Sequence, residues 1–163
     1  MQALAKGDRD ELAVHAATEL GVDRIVPWQS ERSVSRWSGP KAEKGRERWA
    51  SIVREAVKQS LRAWIPEVAP LAGRREVEGL TATHAVILLE PTGSVPFADA
   101  VRAAGDRPLA IVVGPEGGIS DAELAALTAG GAVAARLGPT VLRTSTAGPA
   151  ALAALGVLTG RWP

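Results

Sequence analysis

Three turns rich in glycine or proline each follow a short apolar run in the second half of the chain: EPTG at 90–93, GPEGG at 114–118 and GPT at 138–140. Glycine lets the backbone approach a ligand closely, so exposed N–H and C=O groups can bind the edge of a flat molecule. If the three turns lie together, we expect them to line one pocket. Taken singly, each is more readily explained as an ordinary tight turn.

The central turn leads into a helix, because SDAE at 120–123 has the pattern of a capping box. A helix start normally favours anions, but Glu116 and Asp121 already place negative charge there. The lysine of a phosphate-binding loop and the spacing G-x-G-x-x-G are both missing from this loop. The loop therefore disfavours NAD and ATP and favours an uncharged or positively charged ligand, for example the sulfonium S-adenosylmethionine.

The second half alternates buried strands with helices. The runs at 84–90, 109–114 and 132–138 are apolar without polar alternation, which predicts strands covered on both faces. Helical patterns lie at 97–104, 121–129 and about 147–158. This alternation predicts an α/β fold with a mainly parallel sheet, in which the three turns leave one edge of the sheet.

The first half is predicted to contain two helices separated by a polar loop. The first helix spans 8–20, and Gly21 follows it as a helix stop. The short run 23–28 is β-rich, with Pro27 confining it to a sheet edge, and 29–40 is a long polar loop. A long helix follows over 41–64, up to Pro66. Its apolar stripe is Trp49, Ile52, Val53, Ala56, Val57, Ser60 and Leu61.

Composition predicts one soluble, cytoplasmic domain over residues 1–163, with no targeting segment and no membrane span. The chain has no Cys and only two His, so we expect no metal site. Charge is segregated along the chain: residues 32–62 carry a local charge of +6, and residues 76–135 carry −6. A basic half beside an acidic half is consistent with a polyanion bound on one face, and equally with a solvated helix.

Four ordered blocks resemble the RsmE-type ribosomal RNA methyltransferases of the SPOUT superfamily: 17–34, 54–66, VVGPEGGISDAEL at 112–124 and RLGPTVLRTSTA at 136–147. The resemblance implies a SPOUT-type, mainly parallel sheet flanked by helices, with a C-terminal trefoil knot. It implies a homodimer that uses S-adenosylmethionine to methylate uracil N3 in 16S rRNA of the small ribosomal subunit. Two alternatives stay open: a catalytically silent RNA-binding or ribosome-assembly module of the same fold, and, far less favoured, a nucleotide-dependent oxidoreductase.

Two features depart from the family pattern. Members of the family usually carry an N-terminal PUA-like RNA-binding domain, whereas MQALAKGDRDEL resembles the junction that follows it, so we expect that domain to be absent. In the last block Ser145 stands where the family has Glu, and Gly148 and Pro149 replace small helix formers. If Thr146 caps the last helix, Pro149 falls in the first turn, where a missing N–H is tolerated.

By resemblance, the cofactor meets mainly backbone groups of nine residues, and replacing Gly117 with Val should block the pocket. These residues are Leu89, Glu90, Gly114, Glu116, Gly117, Leu137, Gly138, Leu142 and Thr144.

The methyl acceptor implied by the family makes a further demand, because the N3 proton must leave and negative charge then spreads to O2 and O4 of the uracil. Arg32 and Arg62 are the candidate donors to those oxygens. Glu55, Gln59 and Arg62, at i, i+4 and i+7, share one helical face if the helix continues that far, and a solvated ladder is the alternative.

Arg36 and Arg143 are candidate RNA contacts, and Arg143 is also a candidate for the cofactor carboxylate. Trp28 and Trp37 are the candidates for stacking on bases, whereas Trp49 and Trp64 are predicted to pack in the core.

Overall fold

A six-stranded, wholly parallel sheet forms the centre of the molecule, with the strand order β3-β1-β7-β5-β8-β6. The computed structural model describes residues 1–162. The strands are β1 (Gln2–Ala3), β2 (Arg24–Ile25), β3 (Pro27–Trp28), β4 (Glu67–Val68), β5 (Ala85–Leu89), β6 (Val95–Pro96), β7 (Leu109–Val113) and β8 (Val133–Arg136). The helices are α1 (Arg9–Glu19), α2 (Pro40–Gln59), α3 (Arg74–Leu80), α4 (Phe97–Ala104), α5 (Asp121–Ala129) and α6 (Thr144–Leu158). The predicted α/β class with a mainly parallel sheet is confirmed.

Helices flank the sheet on both faces, and each face has its own apolar cluster. On one face, Val77 of α3 and Leu127 of α5 pack against Leu88 of β5. On the other face, Phe97 of α4 and Ala151 of α6 cluster with residues of β5 and β7. Helices α1 and α2 form a third cluster around Leu4 and Trp49. Both faces are thus covered, which leaves the carboxyl ends of the strands as the open edge.

The long helix is shorter than its sequence pattern predicts: α2 ends at Gln59 instead of reaching residue 64. The Ser60 hydroxyl donates to the Ala56 carbonyl at 2.6 Å, and Leu61 takes a left-handed φ of 55°. The Arg62 N–H then closes the helix on the Val57 carbonyl. The predicted place of Leu61 in the apolar stripe is therefore wrong, because its side chain is 90% exposed.

The last helix begins three residues before the predicted start, with Arg143 as the N-cap residue. Thr146 is thus inside the helix and is not its cap, and Pro149 lies within α6. The N–H of Thr146 already bonds to the Arg143 carbonyl at 2.8 Å. The helix can start earlier because Thr144 is fixed by buried hydrogen bonds of its own.

Candidate functional site

The turns after β5, β7 and β8 lie together and line one cavity of about 440 Å³. The three strands are neighbours in the sheet, so their carboxyl ends reach the same edge. The segment that leads into α6 completes the wall. The residues that line the cavity are Arg9, 89–91, 113–116, Gly118, Ile119, Arg136, Leu137 and 140–144, with Ala147. A cavity of this size suits a small organic ligand.

Seven of the nine predicted cofactor residues line this cavity: Leu89, Glu90, Gly114, Glu116, Leu137, Leu142 and Thr144. Gly117 and Gly138 belong to the same turns but are not part of the lining. A Cβ at Gly117 would lie 3.4 Å from Cβ of Arg32. A valine there would therefore meet the loop that carries Arg32, and blockage of the pocket by Gly117→Val stays a prediction.

Glu116 ties the central turn to the segment between β1 and α1. Its carboxylate accepts hydrogen bonds from the Lys6 N–H at 2.9 Å and from Arg9 at 3.1 Å. Partial burial acts to raise the pKa of Glu116, but hydrogen bonds from its own backbone, Lys6 and Arg9 hold the pKa below its ordinary value. The turn thus presents an ionised carboxylate whose charge is partly satisfied by Arg9.

A buried hydrogen-bond chain that the sequence did not indicate connects two walls of the cavity to strand β1. The side-chain amide of Gln2 donates to the Thr144 hydroxyl at 2.9 Å, and that hydroxyl donates to the Gly114 carbonyl at 2.8 Å. Gln2 and Thr144 are 7% and 6% exposed. The start of α6 is therefore fixed to β1 and to the central turn, with Thr144 in the cavity wall.

The polar loop after β3 is held against the same turn. Buried Glu123, the third residue of α5, accepts from the Ser30 hydroxyl and from the Glu31 N–H, both at 2.8 Å. Glu31 in turn accepts from the Ser120 hydroxyl. Arg32 then donates to the Gly117 carbonyl at 3.2 Å. The structure thus places Arg32 beside the cavity, on a loop that is anchored at two points.

Glu55, Gln59 and Arg62 do not line the cavity of their own chain. The predicted ladder along one helix is wrong for Arg62, because α2 ends at Gln59. Glu55 pairs with Lys58 at 2.8 Å on the exposed side of α2. Arg62 donates to the Thr18 carbonyl at 2.8 Å, near the end of α1. Burial lowers the pKa of Arg62, with the charge of Asp23 acting in the opposite direction.

The tryptophans are placed differently from the prediction. Trp28 is fully buried in the core, so the prediction that it stacks on bases is wrong. Trp64, predicted as core, is 58% exposed, whereas Trp49 is in the core as predicted. Trp37 is half-buried and packs edge-on against Trp49, with 5.3 Å between ring centroids.

Both candidate RNA contacts are exposed on the surface. Arg36 donates to the Glu31 carbonyl at 2.8 Å, on the same loop as Arg32. Arg143 is the N-cap residue of α6. Arg143 and Arg136 both line the cavity. Their exposed guanidinium groups place positive charge around the mouth of the cavity.

Within residues 1–162, no group of three or more His, Cys, Asp or Glu is placed to hold a metal ion. None of the helices in that range is long and apolar enough to span a membrane.

Residues 1–156 match the sequence profile described as an RNA methyltransferase domain. The chain belongs to this RNA methyltransferase family. It is 50% identical, over 99% of its length, to the ribosomal RNA small subunit methyltransferase E of Mycobacterium tuberculosis, of which it covers 63%. RNA methyltransferases of known structure superimpose closely on it. A ribosomal RNA small subunit methyltransferase E from Neisseria gonorrhoeae, solved bound to S-adenosyl methionine, is 33% identical, with a TM-score of 0.86.

That comparison covers 96% of this chain and 64% of the Neisseria gonorrhoeae protein. A putative methyltransferase from Legionella pneumophila, in complex with the bound cofactor SAM, is 30% identical, with a TM-score of 0.81 over 96% of this chain and 64% of the other. The SPOUT-type fold class expected from the sequence is thus confirmed. The chain spans a little under two thirds of the length of these RNA methyltransferases.

Proposed function

We propose that the chain transfers a methyl group from S-adenosylmethionine to N3 of a uridine in 16S rRNA of the small ribosomal subunit. The observation that carries the proposal is the single cavity formed by the three turns after β5, β7 and β8. Relatives of the same family that have been solved with the cofactor support it. Seven of the predicted cofactor residues share the cavity wall, as the proposal requires.

The cavity's chemistry fits the cofactor. Leu89, Leu137 and Leu142 provide apolar walls, and the glycine and proline turns expose main-chain N–H and C=O groups. Arg136 and Arg143 at the mouth are suited to the cofactor's carboxylate. Glu90 and Glu116 add negative charge next to the turns, which favours a cation. The bound cofactor supplies a methyl group activated by its positively charged sulfur.

Arg32 is the candidate that stabilises the methyl acceptor. Loss of the N3 proton puts negative charge on O2 and O4 of uracil, and a fixed guanidinium beside them lowers the energy of that charge. Arg32 is exposed and anchored by one nitrogen to the Gly117 carbonyl, so its other N–H groups are available to the base. Removing one such donor typically costs about 3 kcal/mol of transition-state stabilisation.

We infer that the active form is a homodimer. Helix α6 contains no charged residue, yet Val157 is 67% exposed and Leu158 39%. On neighbouring α1, Leu12 is 56% exposed. A helix that is apolar on all sides is normally buried, so a second copy packed on α6 and α1 would cover these side chains.

Such a dimer would also bring Glu55, Gln59 and Arg62 of one chain near the cavity of the other chain. Arg9 at one end of α1 lines the cavity, whereas Arg62 bonds to Thr18 near the other end of that helix, about 14 Å away along its axis. In a two-fold dimer with antiparallel α1 helices, Arg62 of one chain would approach the cavity of the other.

The trefoil knot expected from the resemblance would involve segment 137–143, which leads from β8 to a helix hydrogen-bonded to β1.

One observation favours the alternative, a catalytically silent RNA-binding or assembly module. None of the four candidate catalytic residues lines the cavity of its own chain, and only Arg32 lies beside it, so an unpaired chain has an incomplete site. Under either function, the rRNA substrate or partner makes the cytoplasm the expected location.

The test is transfer of a labelled methyl group to small ribosomal subunits that lack the modification, followed by nucleoside analysis for N3-methyluridine. Wild type should label the RNA. Arg32→Gln should transfer at least about 100-fold more slowly with cofactor affinity retained, since Arg32 lies outside the cavity lining. Arg75→Gln, which removes an exposed charge on α3, is the matched control. Cofactor binding without any methyl transfer would favour the silent module.

A further inference from the structure

The outer surface of the first half of α2 carries a row of basic side chains. Lys41, Lys44 and Arg48 are three and four residues apart, so they share one face of the helix, and all three are exposed. Within residues 1–162, neither Lys41 nor Lys44 has a carboxylate partner. Arg48 shares its charge with Glu11 of α1. The two lysines are therefore free to meet an anion.

This row lies at the end of the molecule that holds the cavity. Arg48 pairs with Glu11 in the first turn of α1, and Arg62 bonds to Thr18 in its last turn. Helices α1 and α2 therefore run in the same direction, and Lys41 and Lys44 lie on the part of α2 that extends past the start of α1. Arg9, at that start, lines the cavity.

The basic row continues into the anchored loop that reaches the cavity. Residues 32–48 carry six Lys or Arg against two Glu, a local charge of +4. Arg32 bonds to the Gly117 carbonyl, and Arg36 bonds to the backbone of the same loop. Glu43, one of the two acids, is already paired with Arg46. Exposed positive charge thus extends from beside the cavity to the middle of α2.

The opposite charge of another part of the domain restricts how a polyanion can approach. Residues 76–135, which include β5 to α5, carry a net charge of −6. A phosphate backbone is repelled there and attracted over α2, because summed surface charge steers a charged partner. We propose that the exposed face of α2 formed by Lys41, Lys44 and Arg48 binds the phosphate backbone of the RNA that enters the cavity. This inference rests on the proposed function.

The experiment measures the binding of a short, fluorescently labelled hairpin from small-subunit rRNA by anisotropy, from about 50 to about 200 mM salt. The test variant is the double substitution Lys41→Gln with Lys44→Gln. The matched control is Arg74→Gln with Arg75→Gln, which removes the same charge from α3. A Lys41→Arg with Lys44→Arg variant keeps the charge and should bind like wild type.

If both lysines contact phosphates, the slope of log K against log salt should become shallower by about 1.4 to 1.8, at 0.7 to 0.9 per contact. At about 0.1 M salt this corresponds to about 25-fold to 60-fold weaker binding, and the difference should shrink as salt rises. The control should match wild type. Because neither lysine side chain makes a hydrogen bond or an ion pair with residues 1–162, thermal unfolding should be unchanged.

An unaltered slope in the lysine variant, or an equal change in the control, would overturn the proposed surface. So would failure of the wild-type chain to bind the hairpin at low salt. Calorimetry with S-adenosylhomocysteine on the same preparations separates the two proposals. If wild type binds the cofactor but the salt slope of RNA binding is unaltered in the lysine variant, only this surface is refuted. If wild type does not bind the cofactor, the proposed function is refuted.

Discussion

Replacing Thr144 with Val should destabilise the folded site, because the Thr144 hydroxyl is the centre of a buried hydrogen-bond chain. It accepts from the Gln2 amide and donates to the Gly114 carbonyl. Valine keeps the shape of the side chain but leaves the Gly114 carbonyl without its donor, whereas the Gln2 amide keeps its longer contacts with the Ala3 and Thr144 carbonyls. A buried polar group left unsatisfied costs about 1–3 kcal/mol, so we expect a loss of about 1–3 kcal/mol in the free energy of unfolding.

The same change should weaken cofactor binding, because Thr144 and Gly114 both lie in the cavity wall. We expect about a tenfold lower affinity for S-adenosylhomocysteine, or about 1.4 kcal/mol. Thr146→Val is the control: Thr146 is exposed, two residues further on, and its hydroxyl makes no hydrogen bond to residues 1–162. Urea unfolding and calorimetry measure the two effects.

A double-mutant cycle with Gln2→Met tests the reasoning directly. If Gln2 and Thr144 act through one hydrogen bond, removing both should cost less than the sum of the single losses, by about 0.5–3 kcal/mol. Additive losses, or a Thr144→Val protein as stable as Thr146→Val, would refute the reasoning.

Four further changes follow from the structure. Gly118→Ala should lower the free energy of urea unfolding by about 1–2 kcal/mol, because Gly118 has φ of 72°. Gly79→Ala lies inside α3 with open space around it, so it should instead raise the free energy of unfolding by about 0.5–1 kcal/mol. Burial raises the pKa of Asp10 above 3.8, although N–H groups of Ala5 and Glu11 oppose this. As pH rises from 3.8 toward the raised pKa, the folded protein keeps a proton on Asp10 that the unfolded chain releases. The free energy of unfolding of wild type should therefore fall relative to that of Asp10→Asn over this pH range, and a constant difference between the two proteins would contradict the prediction. Glu123→Gln should cost about 1–3 kcal/mol and reduce methyl transfer more than cofactor affinity, because Glu123 anchors the loop that carries Arg32; equal reductions would argue against this positioning role.

Periodicity and turn chemistry predicted the parts of the fold that depend on near neighbours in the chain. The helix bounds 97–104 and 121–129 were predicted correctly, because apolar spacing and the capping box at Ser120 are local signals. Pro27 was correctly assigned to an edge strand. The two-residue strands β1, β4 and β6 are too short to give a periodic signal, so the pattern did not reveal them.

The remaining features depend on contacts between distant residues. Gln2 and Thr144 are 142 positions apart, so no spacing rule could pair them. The end of α2 depends on a left-handed backbone conformation at Leu61, which residues other than glycine rarely adopt. Trp28 and Trp64 were assigned the wrong way round because burial of an indole ring follows from tertiary packing. Gly117 could be placed in the correct turn, but not on the side that faces Arg32.

A crystal structure of the chain with S-adenosylhomocysteine would show whether the three turns form the cofactor site. We expect the ligand to lie between the turns 89–91, 114–119 and 137–144, held mainly by main-chain atoms, with its carboxylate near Arg136 or Arg143. A ligand bound outside this cavity, or crystals that remain free of it at saturating concentration, would refute the proposed cofactor site.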